Sequence, residues 1–151
     1  PSLRIAQFAA FLVEQHSLLS KILEATSVDE LKKFFSIDQS PYWHQHYQFY
    51  KKSKKPVPAL GNDAVENMII NTIVPTLAAY SLYKDETQWM DRAINLLSKL
   101  PPEKNKIIDQ WESLGWKASS AFDSQGLIEL HHNFCNKRLC LQCSICHSLI
   151  R

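Results

Sequence analysis

The chain has 151 residues with 17 basic against 15 acidic side chains, and its net charge of +2 sets up no global pull toward nucleic acid or a membrane surface. Apolar residues make up 45% and charged ones 21%, a globular rather than disordered composition, and the length fits one domain with a real core. Glycine occurs at Gly61, Gly115 and Gly126 alone, and no G-x-G-x-x-G, Walker or G-x-S-x-G pattern occurs, so phosphate-cradling loops and nucleophile elbows lose their usual footing.

No apolar run approaches the ~20 residues that span a bilayer, and no signal peptide is visible. The sequence opens at Pro1 without a methionine, already in helical pattern, and reads as the C-terminal fragment of a larger protein. Leu3, Ile5, Phe8, Ala9, Leu12 and Val13 recur at helical spacing and predict one apolar stripe. Leu18, Leu19, Ile22 and Leu23 continue that helix or form a second one. Ser27-Val28-Asp29-Glu30 reads as a capping box for a short helix carrying Leu31, Phe34 and Phe35. Ser40-Pro41 repeats the logic, a cap followed by proline at the first helical position.

Residues 51–60 hold four lysines and two prolines and predict an exposed loop. Asp63-x-x-Glu66 then opens the longest helical pattern, running through Ile69, Ile73 and Leu77 to Tyr80. Pro75 lies inside it, and the N–H it lacks predicts a kink. Asp85-x-x-Gln88 is the expected cap of the next helix, which stops at Pro101-Pro102. Glu103 to Leu114 follows, with Gly115 as a left-handed terminator. Ser124 to Cys135 is the last expected helix, and Asp123-Ser124-Gln125 its start. Asn71 and Asn105 sit beside helix breaks, where capping of freed backbone groups is their expected use. The fold class predicted is all-α: an irregular multi-helix bundle ending in a cysteine knuckle.

All four cysteines fall within 12 positions, as Cys135-x4-Cys140-x2-Cys143-x2-Cys146. A disulfide framework would spread them along the chain, so tight clustering points to reduced thiols or thiolate ligands and a cytoplasmic setting. Two thiolates three residues apart converge on one tetrahedral ion in zinc knuckles. His131 or His147 competes with Cys146 for the fourth place. An iron–sulfur cluster is the second candidate, although the C-x3-C-P continuation of the ferredoxin run is absent. Four packed thiols without an ion are the third. A closed four-ligand site would be structural rather than catalytic.

Tyr42-Trp43-His44-Gln45-His46-Tyr47 concentrates aromatics and two histidines. On a helix His44 and His46 diverge by about 200°, so an aromatic plug between helices with one satisfied histidine is the expected arrangement. Tyr47, Phe49 and Tyr50 interleave with Lys51, Lys52, Lys54 and Lys55. Stacking surfaces beside cations are how single-stranded nucleic acid is gripped, whereas a lysine run in a loop is commonly just solvated.

Several segments in order carry a resemblance: Arg4-Ile5-Ala6-Gln7-Phe8-Ala9-Ala10, Tyr42-Trp43 with His46-Tyr47, Leu60-Gly61, Ile70-Asn71-Thr72 with Pro75, Glu103 with Asn105, Ser124-Gln125 through Leu130, and Phe134-Cys135 with Cys140-Leu141-x-Cys143. Together they resemble the C-terminal half of a bacterial family of uncharacterised proteins, a domain of unknown function, over nearly the whole chain. Longer members of that family look similar, in their front half, to PD-(D/E)xK nucleases. None of that half is in this sequence, and no catalytic residue carries over. Cys135, Cys140 and Cys143 match the family pattern, while Cys146 stands where glycine is expected. The resemblance implies a helical accessory domain whose partner is its own N-terminal module. Three readings follow: an accessory domain touching nucleic acid, a structural or protein-interaction domain, and an enzyme using His44, His46 and the cysteine region together.

Overall fold

A computed structural model describes residues 2–150. The chain is all-α apart from one two-stranded hairpin, and it divides into two compact units, Pro1–Met90 and Asp91–Arg151. Among the described residues, no helix is long and apolar enough to cross a membrane.

The first unit opens with α1 (Ser2–Glu14), which buries Leu3, Gln7 and Phe11. This spacing of four differs from the expected stripe: Ile5, Phe8, Leu12 and Val13 face outward. The helix is apolar on nearly every side, so periodicity does not single out the face that packs. Ser17 takes a left-handed backbone (φ 57°) and breaks the chain before α2 (Leu18–Glu24), a separate helix. In α3 (Val28–Phe34) the Ser27 hydroxyl accepts from Glu30 N–H as expected, while the Glu30 carboxylate reaches back to Thr26 N–H at 2.7 Å. Pro41 begins a 3₁₀ turn (Pro41–His44), but the Ser40 hydroxyl makes no capping bond. A hairpin follows, β1 (His46–Gln48) paired antiparallel with β2 (Lys51–Lys52), where a loop was expected from residue 51. Val57, in the same stretch, is buried and donates its N–H to His44 O.

The long helical pattern runs as α4 (Asn62–Met68), a π turn (Ile69–Ile73) and α5 (Val74–Lys84). A π turn precedes Pro75, which sits at the start of α5. Side chains meet the backbone groups this irregularity frees: Asn71 Nδ2 donates to Asn67 O, and Thr76 Oγ1 to Thr72 O. Leu31, Ile69 and Leu77 are wholly enclosed, the Phe11 and Phe35 rings stack at 5.2 Å, and Lys32 pairs with Glu66 at 2.6 Å between α3 and α4.

Asp85 does not cap the next helix. It closes α5 in a left-handed conformation (φ 56°), and the Glu86 carboxylate accepts from Gln88 and Trp89 instead. The division between units falls within α6 (Thr87–Lys99). In the second unit Asn105 Oδ1 accepts from Ile107 and Ile108 N–H and starts α7 (Lys106–Ser113), later than the expected Glu103. Gly115 follows at φ 90°, the left-handed terminator expected. α8 (Ala121–Leu130) begins three residues earlier than expected, because Ser120 and Asp123 form a full capping box. Ser124 is therefore an interior residue: buried, its hydroxyl accepts from Glu103 N–H and donates to Ala121 O. A second π turn (His131–Cys135), a 3₁₀ turn (Cys140–Gln142) and a short α9 (Ser144–Ile150) complete the chain.

Candidate functional site

Two places concentrate chemistry, one in each unit. In the second unit α8 carries Leu127 and Leu130 toward the tail, and the Trp111 indole donates to Leu127 O at 3.2 Å, fixing α7 against it. The π turn then delivers Phe134 and Cys135. The tail folds back so that Cys135, Cys140, Cys143 and Cys146 all line one cavity of about 190 Å³ with Trp111, Trp116 and Phe134. None is in a disulfide. Cys143 is buried, and its carbonyl accepts the N–H of His147 at the first turn of α9. Burial pushes the Cys146 thiol above its ordinary value, and Cys140, which its side chain hydrogen-bonds, adds to the rise, followed by Cys143 and Cys135. Neither His131 nor His147 lines the cavity. The His131 ring instead stands edge-on to His132 at 5.7 Å. The thiols share a wall without closing on a common centre: among the described residues, no group of three or more His, Cys, Asp or Glu side chains is placed to hold a metal ion.

In the first unit the aromatic segment is not a plug between helices. Pro41 bends the chain into its 3₁₀ turn, and the rings gather on the surface around the hairpin. The Tyr42 ring stacks on His46 at 4.0 Å, and Trp43 meets Phe49 edge-on at 5.0 Å. His46 Nδ1 lies 2.7 Å from Tyr42 O, which satisfies that histidine as expected, and His44 stands 3.8 Å from Asp38. The two histidines thus have separate partners, and no shared ligand site links them.

At the hairpin tip Tyr50 is fully exposed, with a left-handed backbone (φ 60°) held by its N–H donating to Tyr42 Oη at 2.9 Å. Tyr47 and Phe49 are also exposed. Lys51, Lys52, Lys54 and Lys55 are exposed, and among the described residues none of the four is in an ion pair. Sequence reasoning found these residues but not the strand pairing that puts Gln48 opposite Lys51 and His46 opposite Lys52. The hairpin lacks the Asn-Gly or Asp-Gly signal of a tight turn, so no local signature announced it.

The helical architecture defines a multi-helix domain with no cofactor-binding motif. Residues 1–106 match the family described as Protein of unknown function (DUF2851), and the chain belongs to that family. No curated protein and no solved structure matches it. The hairpin lies inside the matched span, and the four cysteines lie beyond its end.

Proposed function

We propose that the chain is a non-enzymatic accessory domain that grips single-stranded nucleic acid through its hairpin, on behalf of a nuclease-like N-terminal module. The observation that carries this reading is Tyr50: fully exposed, left-handed, and flanked by exposed rings and four exposed lysines. A tyrosine in the left-handed region costs on the order of 1 kcal/mol, a position where glycine or asparagine rests more easily. Such an outlier supports a functional use of the side chain. Flat rings beside cations suit unpaired bases, whose faces stack without regard to sequence at roughly 1–3 kcal/mol per base. The test is fluorescence anisotropy with a labelled oligothymidine. Tyr50→Ala is expected to weaken binding about tenfold or more, and an unchanged affinity would remove the reading.

We further propose that Cys135, Cys140, Cys143 and Cys146 take up one zinc ion in a closed, structural site. The support is that all four, and neither nearby histidine, face one small apolar cavity. Modest side-chain rotation would bring the thiolates to a tetrahedral centre, and four protein ligands leave no open position for catalysis.

A further inference from the structure

A second cavity, in the first unit, belongs to neither of these sites. It measures about 400 Å³ and lies among α1, α2, the segment after α3 and the π turn. That volume falls in the range of roughly 300–1,000 Å³ typical of small-molecule pockets and well above the ~150 Å³ that accepts a single benzene. Its wall is hydrocarbon, including Phe11, Ile22, Phe35 and Ile73, with three polar exceptions: Arg4, Gln7 and Thr72.

The polar exceptions are organised. Gln7 is 6% exposed and Gln39 is 7% exposed, so two amides are buried side by side in an apolar unit. Gln39 Nε2 donates to Val57 O at 3.2 Å, Gln7 Nε2 donates to Gln39 Oε1 at 3.0 Å, and Gln7 Oε1 accepts from Arg4 Nη1 at 2.9 Å. Burying amides is costly unless each is bonded, and this relay ends on one guanidinium at the cavity's edge. Among the described residues, Arg4 has no carboxylate partner, and it is the one charged residue in the wall. A guanidinium fixed by one of its five donors presents the others as a fork that matches a carboxylate. The π turn contributes Thr72 and Ile73 to the same wall, and such turns recur at functional sites.

We infer that this cavity binds the anion of a medium-chain aliphatic carboxylic acid, its chain among Phe11, Ile22, Phe35 and Ile73 and its carboxylate on Arg4. A single cation suits a monoanion better than a phosphate head, which carries more charge than Arg4 alone neutralises. The exposed side chains of Phe8 and Leu12 line the same cavity and give the chain an apolar way in.

The test is isothermal titration calorimetry of the whole chain with octanoate, decanoate and dodecanoate, each below its micelle concentration. Affinity is expected to rise roughly fourfold per added methylene. Arg4→Gln, at an exposed position, is expected to weaken decanoate about tenfold or more and to leave decanol unchanged, its fold checked by an unaltered melting temperature. Equal binding of decanoate, decanol and decyltrimethylammonium would show a bare apolar surface and overturn the inference. So would the absence of binding, or binding to phosphatidylglycerol vesicles that survives Arg4→Gln, which assigns the face to a lipid surface.

Discussion

The hairpin at Tyr50 and the cavity at Cys143 use aromatic side chains in opposite ways. Around the hairpin, Tyr47, Phe49 and Tyr50 stand in solvent with lysines between them, and the backbone at Tyr50 is held in a costly conformation. Around the cavity, Trp111, Phe134 and Leu130 are half-buried and turn inward with the thiols. Exposed rings that could have packed inward mark a face that meets something else. Inward rings around ligand-type side chains mark a closed structural site. The two π turns teach a parallel lesson. Ile69–Ile73 buries three isoleucines and is held by packing, whereas His131–Cys135 buries none of its residues and leads directly into the cysteines. Something other than apolar burial must hold the second, and an ion shared by thiolates would do so.

The largest effect expected concerns that ion. Structural zinc contributes roughly 10–16 kcal/mol to folding in small modules, so protein purified without chelator should carry about one zinc per chain. Stripping it, or Cys140→Ser, should raise hydrogen exchange over residues 131–148 while leaving α3 to α5 protected. Metal-free protein with an equally protected tail would break the contrast between the regions. Next in size, Tyr50→Gly should separate stability from binding: it relaxes the left-handed strain by about 1 kcal/mol, seen as a higher midpoint in urea, yet loses about as much oligonucleotide affinity as Tyr50→Ala. A glycine variant that is both less stable and fully competent would show that the ring packs rather than binds.

Smaller effects sharpen the cavity side. Ser120 and Asp123 start α8, which carries part of the cavity wall, and Ser120→Ala should cost about 1 kcal/mol by denaturant unfolding. Hydrogen bonds from the Ser119 hydroxyl and N–H, then from Ser120, hold the Asp123 carboxyl below its usual value. A carboxyl with a folded value below its unfolded one contributes stability that is fully present above the unfolded value and lost as pH falls through the folded one. Wild-type protein should therefore lose slightly more stability than Asp123→Asn when pH drops below about 4, where unfolded aspartate takes up its proton. Parallel pH curves for the two would show that the carboxylate's charge is immaterial to the cap.

Much of the helical layout was legible from single residues whose chemistry admits one use. Asn105 could cap, Gly115 could turn left, and Pro101-Pro102 could not continue a helix; each does what its chemistry requires. Failures came where local signals were degenerate. In α1 nearly every position is apolar, so the buried face is set by tertiary partners such as Gln39 rather than by periodicity. The Asp85 and Ser124 caps were displaced because Glu86 and Ser120 offered equivalent side chains a few residues away. Pro75 signalled irregularity correctly, but a π turn and a kink answer the same missing donor, and sequence does not choose between them. At the candidate sites, clustering of cysteines and of lysines with aromatics was visible in the chain. The hairpin register was not, and neither was the amide relay to Arg4, which spans residues far apart in sequence.

If the hairpin grips single-stranded nucleic acid, its lysines must neutralise phosphates while its rings stack on bases. The most direct measurement is the salt dependence of oligothymidine binding for the wild type and for the variant with Lys51, Lys52, Lys54 and Lys55 all changed to glutamine. Each phosphate left without its lysine should lower the slope of log affinity against log salt by roughly 0.7, so a fall of about 2 to 3 is predicted. An identical slope for the two proteins would contradict the proposed grip.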